Sequence, residues 1–409
     1  MEKPVFEKKV IGELINSVRP SKMNVLSFIG DINADGKSDF IVSGRNGEMA
    51  WFENPGRSRN GEWIKRHIAD IRSLECGGCA FDLTGNGFPD IINGSDYEND
   101  EMYWWENTGR FDGEWQKRII AKTGKTQMHD TLVGEIKNDG VKYLVFTNQG
   151  GGTNIYCVPI PKDPYQSPWQ GLEIIAENKT LPNPKHTFNP DGLQPDEGLA
   201  LGDVDNDGES ELVCGTAYYK WNGTSWQSYL FTDQIYITTK IVIADIDCDG
   251  KNEIILAEGD AYIYGHDEGG KLAYFKPDNT NNKNKNKNDD DYTSVWREHI
   301  IDTGLIDAHS LAVGDLCGNG FPDIFAGEIG AVSRGGGSEN YIIRQPRLFI
   351  YENDGKGNFK TRHIIDEGTG IHEAALIDLD GDGRPDIIGK PLHGPEQWKI
   401  HAWYNRTVN

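Results

Sequence analysis

Residues 28–44 read FIGDINADGKSDFIVSG. An apolar run enters an acidic, glycine-bearing loop, and a second apolar run leaves it. Residues 311–327, LAVGDLCGNGFPDIFAG, repeat the pattern. Each copy is followed by an aromatic run, AWFENPG (50–56) or LFIYENDG (348–355), and then by WIKRHIAD (63–70) or FKTRHIID (359–366). Acidic loops begin at Asp31, Asp82, Glu135, Asp203, Asp245, Asp315 and Asp378. The unit therefore occurs seven times, at spacings of 51, 53, 68, 42, 70 and 63 residues. Short runs rich in Val, Ile, Phe, Tyr and Trp, bounded by Gly, Asn and Asp, read as strands. A core period of about 40–50 residues with several strands per unit predicts propeller blades. The expected fold is all-β: one seven-bladed β-propeller of four-stranded antiparallel blades, a single domain over residues 1–409.

The two ends of the chain predict how the ring closes. The last unit has sequence for three strands only, ending at KIHAWYN (399–405). FEKKVIGEL (6–14) aligns with the outer-strand runs of other units. The N-terminal strand is thus expected to complete the last blade and remove the edge that an open array would expose. The tract DNTNNKNKNKNDDD (278–291) has nothing to bury and is expected to be a solvated loop in the fifth blade. Residues 159–195 are Pro-rich and carry the insertion before the fourth unit.

With 41 basic and 64 acidic residues the net charge is −23, which excludes a nucleic-acid-binding surface and a polybasic membrane anchor. No apolar run approaches the length of a membrane span. A monomer is expected. Met1 to Ser21 has no signal-peptide core, as in a cytoplasmic chain or one whose leader has been removed. Six Cys are few for 409 residues, and Cys76 and Cys79 form a CxxC without a second pair. We read that pair as small packing residues at a strand start rather than as a metal or redox motif.

Four of the acidic loops follow DxDxDGxx(D/E) in register. They supply Asp31, Asn33, Asp35 and Asp39; Asp203, Asp205, Asp207 and Glu211; Asp245, Asp247, Asp249 and Glu253; and Asp378, Asp380, Asp382 and Asp386. Hard oxygen donors at alternate positions, with Gly at the sixth for a sharp turn, suit Ca²⁺. An EF-hand would need Glu at position twelve, where this chain has Val42, Cys214, Leu256 or Gly389. These are therefore expected to be structural calcium loops in β-hairpins. Calcium in turn favours an extracellular or periplasmic setting. The loops at Asp82 and Asp315 are poorer in carboxylates, and the loop at Glu135 has Tyr143 at position nine and is expected to hold no ion.

The repeated acidic hairpin resembles FG-GAP/VCBS-type repeats, as in integrin-like heads and many bacterial surface proteins. The likeness spans nearly the whole chain and speaks to the fold. It does not fix an activity, because one fold carries many.

In a blade the first strand crosses the disc, so the acidic loops lie on one face and the starts of the first strands on the other. Six positions before each loop stand Val25, Cys76, His129, Glu197, Thr239, His309 and His372. Three of the chain's ten His occupy this one ring, at the mouth of the central channel. His67, His299 and His363 fall in outer strands and read as structural. Loops on the ring's face add Arg45, Asp96, Tyr97, Gln149, Lys220, Glu258, Asp260 and Glu328, then Arg334 in a Gly-rich loop, and Lys390 and His393 near His372.

Fold and pocket together are similar to seven-bladed polysaccharide lyases, including ulvan lyases and rhamnose–glucuronate lyases. That resemblance implies β-elimination at a uronic acid in an acidic carbohydrate. Arg334 or Lys390 would neutralise the carboxylate, and His129, His309 and His372 would move protons, with Tyr97 and His393 close by. A glycoside hydrolase on the same substrates would need two carboxylates, Glu197 with Glu328 or Glu373. A non-catalytic calcium-dependent sugar-binding or adhesion propeller is the other alternative. It should show similar pockets in several blades, whereas the channel-mouth residues differ from blade to blade.

Overall fold

The computed structural model describes residues 3–14, 23–56, 61–177, 197–232, 234–263, 266–277, 296–329, 344–392 and 394–408. The tract 278–291 lies outside the described residues. Among the described residues there are 28 strands and no helix, and we number them β1 to β28 in chain order. They form seven four-stranded antiparallel sheets. The inner strands are β2 (Leu26–Gly30), β6 (Cys79–Phe81), β10 (Thr126–Gly134), β14 (Leu199–Gly202), β18 (Thr239–Ala244), β22 (Ala308–Gly314) and β26 (His372–Ile377). Six blades are built from consecutive strands. The seventh adds β1 (Phe6–Glu13) to the outside of β28 (Lys399–Asn405), with Phe6 opposite Asn405 and Glu13 opposite Lys399. The ring closes as the two ends of the sequence predict.

Each middle strand is buried on both faces and reads as an unbroken apolar run, as in IILA of β19 (Glu253–Glu258). Large aromatics fill the wedges between blades. Trp104 of one blade and Phe146 and Tyr156 of the next share one apolar cluster. His67, His299 and His363 lie in outer strands, as expected.

The asparagine that ends the recurrent aromatic run, WWEN, IYEN or AWYN, has a definite task. Asn107, Asn353 and Asn405 each donate from Nδ2 to a carbonyl of the preceding blade, Ile32, Ile246 and Leu316, at 2.8, 2.6 and 3.0 Å. Each backbone N–H of these residues donates to the position-nine carboxylate of its own acidic loop, Asp90, Asp323 or Asp386. The loop, the third strand and the neighbouring blade are thereby tied at one point, where an unpaired buried donor would cost roughly 1–3 kcal/mol.

The acidic loops share one backbone shape in all seven blades. Position four has positive φ throughout, at Ala34, Gly85, Asn138, Asn206, Cys248, Gly318 and Gly381. Position six is always a glycine with φ between 75° and 91°. The first carboxylate accepts N–H bonds from the turn it opens, as Asp245 does from Asp249 and Gly250. The Glu135 loop follows the same scheme, its carboxylate accepting from Gly140.

Candidate functional site

At the opposite end of the inner strands, three blades depart from regular pairing. A β-bulge falls between Met128 and Thr131 in β10, between Ala308 and Ser310 in β22, and between His372 and Ala375 in β26. These are the three inner strands that carry the ring histidines. The pairings of β2, β6, β14 and β18 with their neighbours run without a shift. A bulge re-aims the side chains it contains, and bulges recur beside active sites. Gln127, Asp307 and Glu373, each within two residues of a ring histidine, have φ of 61°, 54° and 51°. A non-glycine residue held there is backbone strain of the kind that gathers at functional sites.

The bulges bring the ring together. His129 Nδ1 donates to Asp130 at 3.1 Å, and its Nε2 lies 3.8 Å from Glu197. His309 Nε2 donates to Asp260 at 2.7 Å, and its Nδ1 is buried without a hydrogen-bond partner among the described residues. The His309 and His372 rings stack with centroids 5.2 Å apart. Lys390 Nζ is held by the carbonyls of Asn24 and Val25 and lies 3.4 Å from His372 Nδ1. Lys240 is 3.6 Å from Glu197. Gln149 donates to Glu197. The cluster thus draws on five or more blades, and its members are nearly all buried.

Burial and mutual charge sort the protonation states. Burial alone would lower the His129 imidazolium, but Glu197 and Asp130 outweigh it and hold it well above the ordinary range. Burial holds His372 well below that range, with Lys390 and His309 adding to it. Burial raises Glu197 against the pull of His129 and Lys240. Burial would raise Asp130 and Asp260 too, yet His129 and His309 respectively hold them low. Burial lowers Lys390 to about 8. For Lys240 burial is overcome by Glu197 and Asp130, which keep it charged.

Several sequence expectations need correction. Lys220 faces the other end of the blade, where it binds the acidic loop. Glu258 accepts the N–H groups of Ile237 and Lys271, and Glu328 is locked by Arg347 at 2.6 Å and by the Ile306 N–H, so both are structural. Cys76 packs in the apolar cluster of the first two blades, as read, and its thiol also donates to Glu75 Oε1 at 3.3 Å. Among the described residues the cysteines form no disulfide. Arg45 and Tyr97 do reach the rim, the guanidinium lying 4.9 Å from the ring and pairing with Glu75 at 2.8 Å. Tyr97 accepts from Gln127 at 3.3 Å and is 46% exposed, so it faces solvent at the mouth. Arg334 and His393 lie outside the described residues. The sequence reading missed Lys240 and Asp130, which sit one position after Thr239 and His129. Their signal was the placing of a charge beside a ring position in an inner strand.

Oxygens of Asp203, Asp205 and Glu211 lie within 4.8 Å of one another, as do those of Asp245, Asp247 and Glu253. All-oxygen sets of this kind suit a hard cation. Each set is also met by an ammonium of the same blade. Lys220 Nζ lies 2.9 Å from Asp205 and 3.2 Å from Glu211, and Lys276 Nζ lies 2.7 Å from Asp249 and 3.4 Å from Glu253. In the first blade Lys37 meets Asp35 alone, at 2.5 Å, and in the seventh Arg406 meets Asp380 at 3.0 Å. Asn33 accepts from the Asp35 N–H, and Asp378 from Asp382 and Gly383.

No curated protein matches the chain. A family model described as FG-GAP-like repeat matches residues 332–389, about one blade. Two solved structures are similar in fold, the crystal structures of BBS1N in complex with ARL6DN soaked with mercury and soaked with lead. The first aligns at a TM-score of 0.50 and 9% identity over 100% of this chain and 99% of that chain, and the second at 0.48 and 9% over 97% and 98%. At that identity the first supports the fold alone. The chain is a seven-bladed β-propeller that contains an FG-GAP-like repeat.

Proposed function

We propose that the protein is a carbohydrate-active enzyme that cleaves next to a uronic acid by β-elimination, at the channel mouth. The observation that carries the reading is His309. It stands on a bulged inner strand, Asp260 orients it at 2.7 Å, and its other ring nitrogen is unpartnered among the described residues. A carboxylate that fixes one nitrogen of an imidazole leaves the other to take a proton. Lys240 and Lys390 supply positive charge for a uronate carboxylate, which acidifies the C5 proton. His309 takes that proton, the electron pair forms the C4–C5 double bond, and the C4–O bond breaks. His129, held by Asp130, returns a proton to the departing oxygen. Calcium at the acidic loops has a structural role in this reading, away from the chemistry.

The test is near-ultraviolet absorbance on a panel of uronate-containing polysaccharides and oligosaccharides, with sugar release followed in parallel. An absorbance rise that His309→Ala abolishes is the expected result. Sugar release without absorbance overturns elimination in favour of hydrolysis, with Glu197 as the acid. No release on any substrate leaves a sugar-binding propeller, and glycan binding then identifies its ligand.

A further inference from the structure

Beside the proton-transfer residues lies a donor set of a different kind. Cys76, His372 and Glu373 each place a ligand atom within 4.8 Å of the other two. Cys76 and His372 are more than nine-tenths buried, and the Glu373 carboxylate is at the cluster's edge. The set is assembled across the ring. Cys76 precedes β6 of the second blade, while His372 and Glu373 open β26 of the seventh, and the first blade stands between them.

The backbone is shaped to bring Glu373 there. It has φ of 51° and sits inside the β26 bulge. Its two oxygens accept the N–H groups of Ser27 and Gly77, each at 3.1 Å, so the carboxylate is pinned over the first and second blades. A carboxylate needing only a partner could find one without a strained backbone. The strain has a use if the aim of the group matters. The Cys76 thiol donates to Glu75 Oε1 at 3.3 Å, so a carboxylate already faces the sulfur.

We infer that Cys76, His372 and Glu373 form a binding site for a divalent transition metal such as Zn²⁺. A sulfur, a nitrogen and an oxygen donor make a borderline set that suits Zn²⁺, Fe²⁺ or Co²⁺ and not Ca²⁺ or Mg²⁺. Three protein ligands leave a position open, the pattern of reactive rather than closed structural zinc sites. Binding exchanges the thiol proton for the metal, with thiolate and carboxylate supplying two negative charges. Lys390, 3.4 Å from the His372 nitrogen, competes with the metal for that imidazole and sets its affinity. The sets Asp203, Asp205 and Glu211, and Asp245, Asp247 and Glu253, at the other face offer oxygen only and belong to a different class of cation. The inference does not depend on the elimination reading, because its test reads the metal directly.

The experiment is titration of the metal-stripped full chain with cobalt(II) alone, followed by absorbance. A thiolate ligand gives a sulfur-to-cobalt charge-transfer band in the near ultraviolet, which oxygen-only loops cannot produce. One equivalent is expected to develop the band. Cys76→Ser abolishes it, whereas Cys317→Ser leaves it, although Cys317 lies in another group with Glu352 and His363. Glu373→Gln keeps the thiol and weakens binding about 10–100-fold. Lys390→Met tightens binding. Circular dichroism establishes that each variant is folded, and the Lys390→Met gain cannot come from misfolding. Absence of the band in the wild type, or its survival in Cys76→Ser, overturns the proposal. A band in a protein inactive on every uronate substrate keeps the site and sinks the elimination reading, and activity without a band does the reverse.

Discussion

The two ends of the inner strands obey opposite rules. At the acidic end all seven blades repeat one backbone, with positive φ at position four and glycine at position six, even where the Glu135 loop has lost its ninth carboxylate. At the channel end the seven ring positions hold Val25, Cys76, His129, Glu197, Thr239, His309 and His372, and three of the inner strands break register. Repetition is what a staple needs, since each blade must solve the same turn and the same link to its neighbour. Asymmetry is what a single site needs, since one ligand can meet each residue only once. Under the proposed function the same strand serves stability at one end and recognition at the other.

That contrast can be broken by experiment. The largest effect is expected at the channel end. His309→Ala should cut turnover on the best uronate substrate roughly 10²–10⁴-fold. Its thermal midpoint should stay close to the wild type, and a loss of activity that merely tracks unfolding would erase the distinction between the two ends. At the acidic end Asn405→Ala should do the opposite. It strands the Leu316 carbonyl and the Thr407 N–H, which now bond the Asn405 side chain. A loss of about 2–4 kcal/mol is expected by calorimetry or denaturant unfolding, with the folded fraction still active.

A third test concerns the ammonium groups in the acidic loops. Lys276 faces the carboxylates of Asp247, Asp249 and Glu253. Lys276→Met should lower stability without calcium, because those carboxylates then repel one another. It should also add a calcium equivalent in calorimetric titration. At 100 times the dissociation constant, that ion would return about 2.7 kcal/mol. An unchanged stoichiometry would mean that the loop does not use calcium.

The smallest effect separates the ring seam from the site on the pH axis. His401 of β28 is buried with Lys8, Glu396, Asp366 and Lys399 around it and its ring near Trp403. Burial, with Lys8 next, lowers its pKa to about 4. The folded protein thus favours the neutral ring. The contribution is complete above the unfolded value of about 6.5 and is lost as pH falls toward about 4. His401→Phe should flatten that decline in the thermal midpoint and leave any pH profile of turnover where it was. A profile that moved with His401 would tie activity to the seam.

Much of this was written in the residues. The repeat of acidic Gly loops and aromatic runs fixed the count of blades, and FEKKVIGEL announced the strand that closes the ring. The fixed offset from Asp378, Asp315 and Glu135 picked out His372, His309 and His129. What the offset could not carry was the aim of each side chain. In a regular strand a residue next to a ring position points to the other face. A bulge suspends that alternation, so Asp130 and Glu373 join the cluster beside their own histidines. Cys76 packs as its place before a strand suggests, but its CxxC spacing says nothing of His372 and Glu373, which approach it from the seventh blade. Lys220, placed by order in the sequence at the channel end, extends along β16 (Ala217–Trp221) to the acidic end instead.

The sequence by itself determined the period, the strands and the staples, because each of these is settled by contacts within one unit or between adjacent units. Only the tertiary structure decided which of the seven ring residues meet. His372, Glu373 and Cys76 are about 300 positions apart in the chain and come together through ring closure and one bulge. Closure brings the two ends of the chain side by side, and local pattern carries no record of what then faces what across the channel.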